Sequence, residues 1–462
     1  MADQLSPADR ASLAAERGPV NMAVGAALIF ERGPGTTHAA VMERLASRMH
    51  LIPRYRQRLE APPLGLAQPV WVDDPSFDIA WHVRASALPA PAGDAELAQF
   101  VAREMSRRLD RDRPLWELHV IEELSDGRSA LVPKMHHALV DGIAAVDIGT
   151  VVLDPSPEPM EIPGPEEEWR ARPYDRRRHL ARLAATPFVG AQRVMMDSAS
   201  RALNTSARSA AEDLKKATDL LTQLARTRPS APMTPFNEGL SPNRDFAFTS
   251  APLDRLKAAG KAAGGTVNDA LLAAVAGMLA IYLDEAGLRL ERDPVALVPV
   301  SVRREEERGE TGNRISTVLV DLPVDEPDPA ARIREISAEM TEIKDSAAVR
   351  AGAILAGATG WAPPLVSSVM VRGLGGVRAF NLVVSNVPGP QQPFYLNGQR
   401  LLELYPAVPL NPGNQGLTIG ILSYDGGVYF GLLGNRNLEP GLDRVRAALE
   451  ESLDELLAGA PD

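Results

Sequence analysis

The sequence predicts a mixed α/β protein built from two domains. Three observations predict it. The chain has 462 residues, which at roughly 100–200 residues per domain is most simply two. Both halves alternate short β-like runs with helical apolar spacing. A Pro-rich, basic stretch separates the halves. Hydrophobic residues make up 45 % and charged residues 24 %, ordinary globular usage that excludes a disordered or fibrous chain.

In the first half, Ala23–Glu31 reads as a strand. Thr37–Leu59 carries apolar residues at helical spacing and breaks at Pro53. Segment 69–74 and Asp78–Ser86 read as strands. Asp94–Leu109 reads as a helix with Asp94 as its N-cap. Trp116–Leu124 and Ser129–Ala138 alternate as strands do, with a turn between them. A Pro- and Glu-rich linker follows at 152–169. Over Ala171–Arg228 there are twelve basic residues against five acidic ones, in a chain whose net charge is −11. A basic amphipathic helix suits an anionic membrane surface or a solvated linker packed on the domains, and both readings stay open. Arg228–Asp245 is again Pro-rich.

The second half begins near Phe246. Pro252–Gly264 reads as a helix, and Thr266–Gly287 as a central one with no charge between Ala270 and Leu283. Pro294–Arg303 and Arg314–Val324 read as strands, 328–346 as a helix. Phe380–Pro390, 417–426 and 427–435 read as strands and turns, and 441–459 as a final amphipathic helix. Ala351–Val371 carries no charge. It is broken by Pro363 and Pro364 and reads as two short helices, with surface membrane docking as the alternative.

Composition narrows the function. The acidic balance makes non-specific nucleic-acid binding unfavourable. The absence of cysteine excludes disulfides, a Cys nucleophile and thiolate metal sites, and it fits a cytoplasmic protein. The N-terminus is charged and does not read as a signal peptide.

The chemistry concentrates at His136-His137-x-x-x-Asp141-Gly142, where a strand gives way to a turn. Alternation sends neighbouring side chains to opposite faces, so only one histidine can enter a given cavity. A neutral imidazole near pKa 6.5 can take a proton from a hydroxyl attacking an acyl carbon. There is no G-x-S-x-G elbow and no Cys, which favours direct transfer over a covalent intermediate. A metal reading of the two histidines with Asp141 is weaker, because the rings diverge, and no metal is expected. The other five histidines read as structural or surface residues. No Gly-rich nucleotide-binding loop is present.

Several blocks occur in order: LSPADRASL at Leu5–Leu13, PLWELHVIEEL at Pro114–Leu124, HHALVDG at His136–Gly142 and TVNDALLA at Thr266–Ala273. VPVSVR at Val298–Arg303, GN at Gly312–Asn313, SNVPGP at Ser385–Pro390 and SYDG at Ser423–Gly426 follow. With them the chain resembles the bacterial wax ester synthase/acyl-CoA:diacylglycerol acyltransferase family. That family belongs to the HHxxxDG acyltransferase superfamily, with chloramphenicol acetyltransferase and condensation domains. The resemblance spans nearly the whole chain except the basic linker. One departure is GIAA after Asp141, where many members place a Ser.

The resemblance implies two chloramphenicol-acetyltransferase-like domains, mixed sheets with flanking helices, forming a V with a tunnel between them. The domains would be 1–165 with HHxxxDG, a basic helical and Pro-rich linker at 166–245, and 246–462. Acyl-CoA would be a substrate and no cofactor is expected. The acceptor would be diacylglycerol or a long-chain alcohol. His137 would be the general base and His136 would support the turn. Asp141 would be structural, paired with Arg54 or Arg56, and Gly142 would serve backbone geometry.

Asn268 would donate to the developing oxyanion, against the alternative of a helix N-cap. Ser385 and Asn386 would lie near the acyl group, and Trp116 would shape the acyl channel or the core. The expected location is cytoplasmic, with peripheral contact at the inner membrane surface or lipid droplets. Two other readings stay open. One is a superfamily acyltransferase with a carrier-protein donor or another hydroxyl acceptor. The other is a non-catalytic lipid-droplet binding protein.

Overall fold

The computed structural model describes residues 3–61, 69–139, 149, 151–165, 167–175, 230–301, 315–345, 378–412 and 414–460. In chain order the first half contributes β1 (Asp3–Gln4), α1 (Pro7–Ala15), β2 (Ala23–Glu31), α2 (His38–Arg48), β3 (Gln57–Glu60) and β4 (Val70–Asp73). It continues with α3 (Ile79–His82), β5 (Val83–Ser86), α4 (Asp94–Ser106), β6 (Trp116–Ile121) and β7 (Arg128–His136). The second half contributes β8 (Arg244–Pro252), α5 (Leu253–Ala262), α6 (Val267–Glu285), β9 (Val295–Ser301), β10 (Ile315–Asp321) and α7 (Pro329–Asp345). After these come β11 (Leu382–Pro388), β12 (Tyr395–Leu396), β13 (Gln399–Ala407), β14 (Leu417–Tyr424), β15 (Gly427–Asn435) and α8 (Leu442–Ala458).

Two six-stranded mixed sheets result. The first runs β12-β13-β2-β7-β6-β5 and the second β10-β9-β11-β14-β15-β8; a small sheet, β1-β4-β3, lies beside the first. Within the first, β5 and β6 are parallel and the other neighbours antiparallel. In the second, β11 runs parallel to both β9 and β14.

The sequence division at 246 assigns 399–407 to the second domain, but β13 pairs with β2 in the first sheet. Close passage allows this. A Cβ on Gly431 of β15 would meet the Pro406 carbonyl oxygen at 1.8 Å, so only glycine lets the two strands cross there. The chain between 230 and 243 also departs from the expected linker. Phe236 is fully buried and stacks on Tyr282 of α6 at 5.2 Å. At the other end of the linker, Arg172 makes a forked ion pair with Asp73 at 2.9 and 3.0 Å. Most of the basic segment (176–229) and the whole of Ala351–Val371 lie outside the described residues.

Two local expectations are corrected. Residues 79–82 form a short helix rather than strand, because the Asp78 carboxylate caps Ala80 N–H at 2.9 Å. The N-cap of α4 is Gly93, not Asp94. Helix α6 is apolar and long enough to cross a membrane by composition alone. Ala270 through Met278 are at most 2 % exposed, Gly277 apart, so it is the central core helix of the second half.

Arg244 ties the halves together. It is 1 % exposed. Its backbone N–H donates to Ser106 Oγ at 2.8 Å, and its guanidinium donates to the carbonyls of Ser241 and Pro19. Burial lowers its pKa to about 10.

Candidate active site

Helix α1 is rigid from its first turn. Ser6 Oγ accepts from Asp9 N–H at 3.1 Å, the Asp9 carboxylate accepts from Ser6 N–H at 3.0 Å, and Pro7 fills the first position. Its last turns place Ser12 and Glu16 four residues apart, on one face. That face meets the end of β7. His136 N–H donates to Leu115 O and His137 N–H to Met22 O, both at 2.9 Å. The two backbone bonds run to opposite neighbours, and the rings diverge.

His136 is 1 % exposed. Its Nδ1 accepts from Ala138 N–H at 3.0 Å, so in the neutral ring the proton sits on Nε2. That nitrogen faces Glu16 Oε1 at 3.6 Å, beyond hydrogen-bond reach. Burial lowers the His136 pKa to about 4, against an opposing pull from Glu16. His136 is therefore neutral near pH 7. Glu16 is held by Arg111 at 2.7 Å and by Met22 N–H at 3.2 Å. His137 is exposed, and its Nδ1 lies 3.4 Å from Ser12 Oγ. One helix thus contacts both histidines, one buried and neutral, the other open to solvent.

Asp141 and Gly142 lie outside the described residues. The guanidinium of Arg54 lies over Trp71 at 5.2 Å and that of Arg56 over Trp169 at 4.5 Å. Both arginines line a cavity of about 650 Å³ that Tyr55, Ala138, Leu139 and Trp169 also border. The cavity therefore adjoins the turn that follows His137.

Trp116 is a core residue. It is 1 % exposed, its indole N–H donates to Tyr55 O at 2.8 Å, and its ring stacks on His82 at 4.5 Å. It is absent from the lining of the 650 Å³ cavity.

In the second half, Thr266 is the N-cap of α6 and forms a capping box with Asp269. The capping alternative for Asn268 is thereby excluded, since the cap is two residues earlier. Asn386 Nδ2 on β11 donates to Asn268 Oδ1 at 3.2 Å, and among the described residues the Asn268 NH2 group has no hydrogen-bond partner. Strand alternation puts Ser385 on the opposite face from Asn386, so Ser385 is not brought to Asn268.

Sequence reasoning missed Ser12 and Glu16. Their spacing within the Leu5–Leu13 block and just beyond it was the available signal. It also missed a buried polar cluster beneath the first sheet. There His119 Nε2 lies 3.5 Å from Glu117 and 3.6 Å from Glu104, all at most 6 % exposed. Lys134, Arg84 and Arg107 balance the two carboxylates. Burial lowers the Lys134 pKa to about 8.

Two mixed six-stranded sheets, with an exposed histidine at the end of a central strand of the first, define a two-domain α/β protein with a solvent-facing imidazole. The first condensation domain of the calcium-dependent antibiotic synthetase shares this fold, with a TM-score of 0.55 at 18 % identity over 99 % of this chain and 96 % of that one. The sequence profile of the wax ester synthase/diacylglycerol acyltransferase catalytic domain matches residues 5–271, and that of the family's C-terminal domain matches 311–457.

A wax ester synthase/diacylglycerol acyltransferase from Marinobacter aquaeolei VT8 is similar at 31 % identity and a TM-score of 0.70, over 98 % of both chains. A probable diacylglycerol O-acyltransferase from Mycobacterium tuberculosis is 36 % identical over 460 residues, 98 % of both chains. A second from the same organism is 31 % identical over 448 residues, 95 % of this chain and 92 % of that one. The chain belongs to the wax ester synthase/diacylglycerol acyltransferase family, and it is an acyltransferase.

Proposed function

We propose that the enzyme moves a long fatty acyl group from acyl-CoA to a hydroxyl of diacylglycerol or of a long-chain alcohol. The observation that carries the reading is the divergence of the histidine pair, with His136 buried and neutral and His137 exposed at its side. With Nδ1 turned to Ser12, the His137 Nε2 is the nitrogen available to a substrate. It takes the proton from the acceptor hydroxyl as that oxygen attacks the thioester carbonyl. The tetrahedral oxyanion accepts a hydrogen bond from the Asn268 NH2. Collapse breaks the carbon–sulfur bond, and the CoA thiolate takes the proton from the His137 imidazolium. The products are the ester and free CoA, and no cofactor or metal enters the balance.

The acceptors are water-insoluble lipids, and the basic stretch at Ala171–Arg228 is suited to an anionic surface. Both support work from the cytoplasm at a membrane or lipid-droplet surface.

The test is CoA release from palmitoyl-CoA with dioleoylglycerol or hexadecanol, for wild type and His137→Ala, with products identified by mass spectrometry. Acceptor-dependent turnover that falls by about 10²–10⁴ in the variant supports the reading. No turnover with either lipid from folded wild type overturns it in favour of a carrier-bound donor, another acceptor or a binding role.

A further inference from the structure

We infer that Ser12 is a positioning residue for the reaction. Its hydroxyl oxygen accepts from the His137 Nδ1–H, which fixes the ring's orientation and leaves the Nε2 lone pair as the base. The inference rests on His137 being that base.

Four observations carry it. Ser12 is only 8 % exposed although the ring it meets is exposed, so its hydroxyl sits at the inner edge of the ring. A serine inside a helix commonly turns its hydroxyl back to a carbonyl of the preceding turn. Ser106 does this at the end of α4, donating to Ala102 O at 2.7 Å. Among the described residues Ser12 Oγ has no such bond, and its hydrogen-bond partner is His137 Nδ1 at 3.4 Å. That nitrogen has no other partner among the described residues.

The backbone on both sides is anchored. α1 is locked by its capping box, and His137 N–H is tied to Met22 O at 2.9 Å. The side-chain contact therefore joins two fixed points. Finally, Glu16, the C-cap of α1, meets His136 rather than His137. A hydroxyl partner orients the imidazole through a neutral hydrogen bond and leaves the opposite ring nitrogen to face the substrate. The 3.4 Å separation is long for such a bond, as is common for catalytic contacts before substrate binds.

The test combines ring-nitrogen NMR with kinetics on the full chain for wild type, Ser12→Ala and Ser12→Thr, with His137→Ala to assign the signals. In wild type, neutral His137 is expected to carry its proton on Nδ1. Ser12→Ala is expected to lose that preference, and its kcat to fall by about tenfold to hundredfold with KM within about twofold. Its melting temperature is expected to hold or rise, because alanine favours a helix interior. Ser12→Thr, which keeps the hydroxyl, is expected to recover the tautomer and most of kcat.

An unchanged tautomer and full activity in Ser12→Ala overturn the inference and leave the base assignment standing. Acyl transfer that survives in His137→Ala overturns both. A fall in kcat matched by a fall in melting temperature reduces Ser12 to a packing residue. An acyl adduct on Ser12, seen by intact mass after incubation with palmitoyl-CoA, overturns positioning in favour of covalent catalysis.

Discussion

The two halves bury different chemistry. Beneath the first sheet lie Glu16, His136, Glu104, Glu117, His119 and Lys134, all at most 6 % exposed. Asp154 is fully buried, ion-paired with Arg44 and, at 3.1 Å, with Arg48. Its backbone also bonds in both directions to Tyr395 of β12, at 2.8 and 2.9 Å. The second half is instead built around α6, whose buried stretch is Ala, Leu, Val and Met. Buried ion pairs are weak sources of net stability, but they hold a particular geometry and penalise any loss of a partner. Apolar packing stabilises more per residue and is indifferent to protonation. The half that holds two imidazoles in different environments is the one with the charged interior. The half that presents the Asn268–Asn386 amide pair does so from a largely apolar frame.

That contrast can be broken. The largest effect is expected at Asp154. Asp154→Ala strands two buried arginines and should cost about 3–5 kcal/mol, read by urea denaturation. Leu279→Ala, at a position with no exposure, should cost about 2–5 kcal/mol through its cavity. Asp154→Asn, which keeps the shape and removes the charge, should cost most of the same penalty, because the two arginines stay buried beside it. An Asn variant as stable as wild type would erase the distinction between the halves.

Protonation of His136 sharpens the comparison. In the folded chain its pKa is about 4, and in the unfolded chain it is about 6.5. Between those values the unfolded chain binds the extra proton, so stability falls as pH drops from 6.5 towards 4. The loss from this residue approaches ~3 kcal/mol. His136→Gln should flatten that part of the pH–stability curve, measured by denaturant titration at each pH. An unchanged slope would mean that His136 does not titrate in this range.

The smallest effect is expected in the apolar half. Asn386→Ala removes the hydrogen bond that orients the Asn268 amide and should lower kcat about tenfold, or about 1.4 kcal/mol. Melting temperature should change little, because both side chains are only partly buried. A large loss of stability there would show that the amide pair is part of the frame rather than mounted on it.

Much of this was legible along the chain. The strand at Ala23–Glu31 and the central helix after Thr266 follow from local periodicity. The divergence of His136 and His137 follows from the end of a strand. These features depend on neighbours within a few residues, and a single sequence carries that information directly. Asn268 was singled out through the resemblance of the TVNDALLA block, while its place at the head of an apolar helix suggested only a cap, which Thr266 supplies instead.

Other features depend on register between distant segments. Pairing of 399–407 with β2 rests on partners some 375 residues apart, and nothing in the local pattern of β13 distinguishes the two sheets. Ser12 and His137 are 125 residues apart, and Asn268 and Asn386 are 118. Trp116 reads equally well as channel wall or core until the Tyr55 carbonyl and the His82 ring are seen to enclose it. The sequence by itself determined which residue types were present for acyl transfer and which local elements would carry them. Only the tertiary structure decided which histidine is buried, what each ring faces and which amide holds Asn268. Burial and hydrogen-bond pairing are properties of the packed chain, set by contacts that local periodicity does not encode.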